Sequence, residues 1–562
     1  MTDVLVIGSG AGGGPLALAL SKAGMNVLVL EKGPRYSREE YVQDEMLSHS
    51  ASGFFVPLVS EDPHVLIRGD GTTELTSLGW IASCVGGGTS HMGAALYRFH
   101  PLDFRLNSEF GKYLEVADWA YTYEDLEPFY SRAEWAIGVS GKSDPSPLEV
   151  RRSIPLPLPP LETNALAHSF DDACARMGLH PFPTPRAVNS RWYQGRPPCA
   201  YCAMCGGHGC PIGARGSTQE TVLAAAERTG RCRIQPLAMV TEITVGNDGY
   251  VDGCIYIDRD GLERRARADI VCVCCSAVES ARLLLLSRSR LFPDGLANGS
   301  GLIGRNLQLH AVSSGRARFR YDKPPLDTLR GNTRGYLIGR SLMDYYFLPN
   351  GVSDLNKGGL FRFDIMRPNP IAIAQRVARA NPENYLWGNR LMKAIREHFT
   401  EGLEVEFEVF QDFLPNKETF IDLDPQVKDK WGLPAARIHL REPEHHRKAG
   451  DWLVRRGLEL LSSLGAEKLV CSSIGETCST MAHGTCRAGN NVNESVLNGS
   501  CQAHEVSNLF VVDGSFMPTS GGAPSTLTIL ANSFRTSDYI IDAARKGELR
   551  KSSTARRKAY CQ

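Results

Sequence analysis

Four thiols fall within twelve residues, at Cys199, Cys202, Cys205 and Cys210, and cysteines packed this densely can wrap a small inorganic core. Two gaps of two residues are followed by one of four, close to the bacterial ferredoxin run but with a longer last gap. Glycines 206, 207 and 209 let the chain turn around such a core, and Pro211 stiffens its exit. Two CxxC steps can also hold a tetrahedral zinc ion, although zinc knuckles are normally separated by a longer loop. The spacing therefore points to an iron–sulfur cluster ahead of zinc. His208 reads equally as a donor behind the cluster or as a surface side chain. Cys272, Cys274 and Cys275 sit in an apolar run, where a free thiol behaves as a small buried hydrophobe.

A second constellation lies at the N-terminus. Gly8, Gly10 and Gly13 are spaced for a dinucleotide turn: Gly8 for the tight bend, Gly10, beside Ala11, for approach of a pyrophosphate, and Gly13 for close packing of helix on strand. Glu31 follows at the distance expected of the carboxylate that binds a ribose hydroxyl, and an acid there disfavours a 2′-phosphate. Alone, this pattern serves NAD as well as FAD.

Such a site needs strand, turn and helix in that order. Residues 3–7 predict a buried parallel strand, 15–23 a helix rich in Ala and Leu, and 26–30 a second strand that ends at Glu31. The free N–H groups at the helix start then face the phosphates. Further on, 402–410 alternate at period two and predict a half-buried strand, and the Pro-rich 154–160 predicts a stiff connector. The chain has 562 residues, enough for two intertwined domains, with no internal repeat. Lys+Arg and Asp+Glu are both 62, which removes the basic footprint of a nucleic-acid binder and favours a small, roughly neutral substrate. No apolar run reaches the ~18 residues of a membrane span. Met1 leads straight into a strand with no secretory signal, so any export needs help from a partner.

The segment Val85-Gly86-Gly87-Gly88-Thr89-Ser90-His91-Met92-Gly93 resembles the flavin-contact loop of the glucose–methanol–choline (GMC) oxidoreductase family. Glu31-Lys32-Gly33 is similar to the family's segment at the ribose-binding acid, and residues 269–284 to its return strand and following helix. The strand around Val240 matches the one whose backbone is expected to touch adenine. The most specific match is 508–519, where Asp513-Gly514 is expected at the phosphate and ribitol side of the flavin. The resemblance spans residues 3 to about 545 and implies FAD rather than NAD. It adds Lys32, Gly87, Gly88, Ser90, His91, Val240, Asp513, Gly514 and Thr526 to the expected cofactor contacts. In several members a histidine near the position of His91 carries the flavin covalently, and in others the flavin is only bound.

The family implies an α/β fold: a Rossmann-like FAD-binding domain with an inserted α+β substrate domain on an antiparallel sheet. We expect the FAD domain at 1–105, 196–305 and 490–545, the substrate domain at 106–195 and 306–489, and a tail at 546–562. Cys210-Pro211-Ile212-Gly213-Ala214 resembles the cluster segment of bacterial FAD-dependent sugar dehydrogenase catalytic subunits, which implies a 3Fe-4S cluster, with 4Fe-4S as the alternative. The family's catalytic base is a histidine just before a Gly-Thr step. Here that is His483, or Met481 if the usual two-residue gap is kept, and Met has no basic nitrogen. The second catalytic His or Asn is missing from its usual place, where Ala523-Pro524 stands. Ser525, Thr526 or Asn532 are the substitutes, and Ser525 and Thr526 also read as helix caps.

The function implied is an FAD-dependent dehydrogenase oxidising a hydroxyl of a sugar, sugar derivative or glycoside, with glucoside 3-oxidation preferred. Electrons would leave through the cluster to a carrier such as cytochrome c. A small signal-bearing subunit would take the chain to the periplasm. The alternatives are an oxygen-using oxidase of sugars or long-chain alcohols, and a non-catalytic flavoprotein that relays electrons.

Overall fold

The apolar residues Val4, Leu5, Val6 and Ile7 carry no polar alternation, so they can only form a strand covered on both faces. In the computed structural model, strand Val4–Ile7 is fully buried at the centre of a five-stranded sheet. The structure describes the chain except residues 1, 43, 49–53, 81, 112–115, 143–149, 203, 328–337, 354, 364–369, 380–384, 443 and 550–562. The sheet runs Leu509–Val511, Ile270–Val273, Val4–Ile7, Val27–Leu30, Cys232–Gln235, with every pair parallel. All carboxyl ends therefore lie on one edge, the edge at which open α/β sheets bind ligands. Gly8, Glu31, Cys274 and Val512-Asp513 come directly after four of these strands.

Helix Gly13–Lys22 begins two residues earlier than predicted, with its first turn formed by the glycines themselves. The return strand leads into helix Ala277–Leu286. The last helix, Thr526–Lys546, ends at Gly547 with φ of 73°. It is held by Tyr130, whose hydroxyl is 2.7 Å from that of Thr528. Of the expected tail, Lys546 closes this helix and Leu549 is buried, and 550–562 lie outside the described residues.

A second, antiparallel sheet has the order Glu467–His483, Gln308–Arg320, Gly402–Gln411, Gly359–Phe363, Arg340–Leu342, Phe182–Pro183. The period-two segment forms its strand Gly402–Gln411: Val405, Phe407 and Val409 are buried with residues of helix His445–Ser463, and Glu404, Glu406 and Glu408 take the other face. Two smaller sheets join Phe420–Lys428, Pro434–Leu440, His64–Arg68 and Thr73–Thr76, and Met239–Val245, Val251–Ile257 and Glu263–Arg267. The 17-residue strand Glu467–His483 is the one that matters most for function. It delivers His483 from the antiparallel sheet to the carboxyl edge of the parallel one.

A buried ion group ties the antiparallel sheet to the helical turn Pro101–Phe104. Lys357 bonds both Asp103 and Asp412, and Tyr346 donates to Asp103 at 2.6 Å. Lys357, Asp103 and Asp412 are all buried. Lys357→Met would leave two carboxylates without their cation, and breaking a buried pair typically costs about 3–5 kcal/mol. A chemical-denaturation curve at pH 7 is expected to show a loss of that size. Unfolding free energy within 1 kcal/mol of the parent would disprove the role.

Candidate active site

At the carboxyl edge the N-terminal turn is packed backbone to backbone. Gly8 has φ of 98°, and a Cβ there would lie 2.3 Å from the Cys274 carbonyl oxygen. At Gly13 a Cβ would meet the Gly8 carbonyl oxygen at 2.0 Å, the close helix-to-strand packing expected of that position. Gly12, which the motif does not single out, is as constrained: its Cβ would fall 2.2 Å from the Val512 carbonyl oxygen. Gly10 faces Gly87 of the second glycine run, where a Cβ would sit 3.0 Å from the Gly10 Cα. Side chains at these two positions would narrow the space between turn and loop.

Glu31 is buried and accepts bonds from the Ser9 amide (3.1 Å), the Ser9 hydroxyl (2.6 Å) and the Gly33 amide (3.1 Å). Burial raises its pKa in spite of these bonds. Lys32 also borders the cavity, with its ammonium 2.5 Å from Asp62 and 3.8 Å from the centroid of the Trp80 ring.

The second glycine run forms a short helical turn, Gly87–Ser90, entered through Gly86 at φ of 95°. Gly87, Gly88, Thr89, His91 and Met92 line the cavity. Ser90 does not: its hydroxyl turns back to the Val85 carbonyl (3.1 Å), so it supports the loop from behind. The His91 ring stacks on Phe55 with centroids 4.8 Å apart. The cysteine segment leans on this loop. The Gly207 amide donates to the His91 carbonyl (2.8 Å), and Arg215 spans the carbonyls of Ser90 (2.8 Å) and Cys205 (2.9 Å).

Gly206 and Gly207 reach the cavity wall. The thiols of Cys202, Cys205 and Cys210 all act on Cys199, whose own thiol is pushed up to about 12, chiefly by burial. All four are free thiols. Among the described residues no three His, Cys, Asp or Glu side chains converge as a metal-holding set, so the loop as folded is not a closed ligand cage. His208 is 1% exposed, which removes the surface reading. Cys272 and Cys274 are buried as expected; Cys274 also reaches the cavity, as does the half-buried Cys275.

His483 stands at the other end of the cavity, fully buried apart from the face that lines it. Its Nε2 lies 2.7 Å from the Ser525 hydroxyl. Ser525 occupies the N-cap position of the last helix but makes no side-chain cap bond, because its hydroxyl is used by His483. Thr526 follows at the wall. Asn532 is not brought to the site. It lies two helical turns beyond Ser525, about 10 Å along the axis. Its amide oxygen accepts from Tyr121 (2.9 Å) and Arg535 (3.2 Å), and its amide nitrogen reaches Cys501 (3.2 Å). Met481 lines the cavity alongside His483. Burial, reinforced by the neighbouring His310, holds the His483 pKa well below the ordinary imidazole value.

These groups border a single cavity of about 700 Å³. One arm is apolar, with Val240, Leu283 and Leu286, and leads past Glu31 and the glycine turns to Asp513 and Gly514. Asp513 is fixed by Ser280 and by the Ser515 amide (2.8 Å). Beyond His483 a second arm opens on the antiparallel sheet, lined by the hydroxyls of Ser314, Ser473, Thr477 and Thr480 and by the ion-paired Arg362 and Glu408. The apolar wall, buried acid and facing glycines of the first arm fit an adenine, a ribose and a pyrophosphate, which leaves a ring system against Gly87–Met92 and His483.

Comparison with known proteins is consistent with this arrangement. The GMC oxidoreductase family is matched in two parts, over residues 64–312 and 415–533, and an FAD-binding domain over residues 3–42. The chain is 32% identical over 554 residues to 2-methyl-1,2-propanediol dehydrogenase of Mycolicibacterium austroafricanum, covering 96% of this chain and 95% of that protein. It is 27% identical over 569 residues to the fructose dehydrogenase large subunit of Gluconobacter japonicus, covering 97% and 98%. Among solved structures, formate oxidase of Aspergillus oryzae aligns over 97% of this chain and 99% of its own, with a TM-score of 0.66 at 16% identity.

Proposed function

Because this chain belongs to the GMC oxidoreductase family and carries its FAD-binding fold, we propose that it is a dehydrogenase that oxidises a hydroxyl of a sugar, sugar derivative or glycoside. The observation that carries the reading is the placement of His483 Nε2, 2.7 Å from Ser525 Oγ, in the cavity that begins at the Gly8–Gly13 turn and Glu31. Bound FAD supplies a two-electron acceptor for the hydride that leaves the carbinol carbon. His483 takes the hydroxyl proton on Nε2, which gives up its bond from the Ser525 hydroxyl to the substrate hydroxyl, and the carbon–oxygen bond becomes a carbonyl. Ser525 holds the imidazole facing the cavity in place of the absent His or Asn. The depressed pKa keeps His483 neutral, and so able to accept a proton, at physiological pH.

Four hydroxyl side chains and one ion pair along the second arm suit a polyol better than an apolar alcohol. The similarity to a fructose dehydrogenase subunit supports the same class, and glucoside 3-oxidation is our preferred reaction within it. For the cysteine segment we propose a 3Fe-4S cluster, or 4Fe-4S, on Cys199, Cys202, Cys205 and Cys210, which requires the loop to close around it. Its support is the thiol spacing and the contact of Gly206 and Gly207 with the cavity beside His91. Such a cluster would supply single-electron transfer to a carrier such as cytochrome c. We also propose a smaller, signal-bearing partner and a periplasmic site of action; the similarity to a protein that is itself a large subunit supports the smaller partner. No described helix is long and apolar enough to cross a membrane.

A panel of glucose, fructose, methyl glucoside and 2-methyl-1,2-propanediol tests the reading on anaerobically purified protein. We expect a sugar or glycoside to bleach the flavin absorption under nitrogen, reoxidation to be fast with a dye acceptor and slow in air, and iron and acid-labile sulfide to be present. Rapid turnover with air and no iron would make the protein an oxidase. No bleaching by any alcohol would make it a relay subunit.

A further inference from the structure

We propose that His310 is a positioning residue for His483, fixing the tautomer in which Nε2 carries no hydrogen and can take a proton. This rests on the reading of His483 as the base. His310 lies in strand Gln308–Arg320, beside strand Glu467–His483. The register sets Gln308 opposite His483 and Leu309 opposite Ala482, then jumps to Ala311 opposite Thr477. Residues 308 and 310 share a face, so His310 is the diagonal neighbour of His483. Both are buried, and their rings stand 5.2 Å apart at 88°.

The hydrogen bonds decide the protons. His310 Nδ1 is 3.3 Å from the Gln411 carbonyl oxygen, which only accepts, so Nδ1 carries the hydrogen. Burial lowers the His310 pKa to about 4, so at neutral pH its Nε2 is a bare lone pair. Among the described residues that atom has no hydrogen-bond partner, and neither has His483 Nδ1. A buried polar atom left unpaired costs about 1–3 kcal/mol. The two atoms complement each other only if His483 carries its hydrogen on Nδ1, and then its Nε2 accepts from the Ser525 hydroxyl. In the other tautomer both atoms are lone pairs and cannot bond each other, and Nε2 cannot act as a base.

The ring spacing suits such a link. A ring nitrogen sits roughly 1.1 Å from its centroid, so an N–H···N bond of about 3 Å needs centroids about 5.2 Å apart. The rings stand at this spacing although the two atoms are not bonded in the substrate-free chain, and catalytic hydrogen bonds commonly tighten when substrate binds. The charged groups that reach His310 are Lys357, which opposes its protonation, and Asp103, which favours it. They are bonded to each other. His310 is thereby kept neutral and able to accept the Nδ1 hydrogen as positive charge develops on His483.

The test uses the FAD-loaded protein, His310→Phe, His310→Gln, and the panel compound that bleaches the flavin fastest. The phenylalanine keeps the ring volume without a lone pair, and the glutamine restores an acceptor oxygen. His310→Phe is expected to retain its flavin and its KM, and to lose on the order of 30-fold in the flavin-reduction rate. His310→Gln should recover most of the rate. In substrate-free protein, 15N-histidine spectra should show His483 protonated on Nδ1 in the parent and on Nε2 in His310→Phe. Equal rates in parent and His310→Phe, equal losses in both variants, or an unchanged tautomer would overturn the pairing while His483→Ala is inactive. A fully active His483→Ala would instead overturn the base assignment on which it rests.

Discussion

His483→Ala is expected to retain its flavin and to lose about 10³-fold in the rate at which substrate reduces it. General-base catalysis typically contributes about 10²–10⁴-fold. Neither alternative from the sequence can take over: Asn532 is committed to Tyr121, Arg535 and Cys501, and Met481 has no basic nitrogen. The parent's pH dependence checks the same assignment. Desolvation disfavours the imidazolium, so the folded pKa of His483 lies well below its ordinary value. A base works in its neutral form, so lowering its pKa extends activity towards acid. The reduction rate should therefore be flat through the usual imidazole range of about 6–7 and fall only at lower pH. Single-turnover absorbance traces from pH 4.5 to 8 measure both effects. A His483→Ala rate within tenfold of the parent, or a parent profile with its midpoint near 6.5, would remove His483 as the base.

The parts of this site that belong to local elements were legible in the sequence, and the parts made by tertiary contact were not. Gly8, Gly13 and Glu31 could be located because strand, turn and helix are continuous in the chain and the spacing of their residues has a physical cause. His483 could be placed by its Gly-Thr neighbour. Its partner could not, because a serine at the start of a helix is read by default as a cap. Only the approach of strand Glu467–His483 shows that the Ser525 hydroxyl points elsewhere. His310 gave no signal at all. A lone histidine in an alternating strand is indistinguishable from a packed one until the bulged register brings it diagonal to His483. The expectation for Ser90 failed similarly, since the sequence fixes the glycine loop but not which of its side chains turns back to the Val85 carbonyl.

Gly12→Ala should produce a protein that folds poorly and carries almost no FAD, an effect far larger than its position in the motif suggests. Gly12 has φ of −77°, so alanine suits its backbone angles and the objection is purely spatial. The added methyl would lie 2.2 Å from the Val512 carbonyl oxygen and 3.0 Å from its carbonyl carbon. Neither can move freely, because the Val512 amide is bonded to the Val273 carbonyl (2.9 Å) and Asp513 follows at once. Relief requires the first turn of helix Gly13–Lys22 to separate from the segment that carries Asp513 and Gly514. Those are the two sides that would grip the pyrophosphate and the flavin end of the cofactor. Overpacking against side chains costs about 1–3 kcal/mol, and a backbone obstacle that cannot change rotamer lies at or above the top of that range. Gly24→Ala is the control. At φ of 96° it has nothing within 4 Å of the added methyl, so only conformational strain of about 1 kcal/mol is expected, with full flavin content. Flavin-to-protein ratio and thermal midpoint measured on both variants separate the two causes. If Gly12→Ala holds FAD and melts within a few degrees of Gly24→Ala, the close contact with Val512 is not what shapes the cradle.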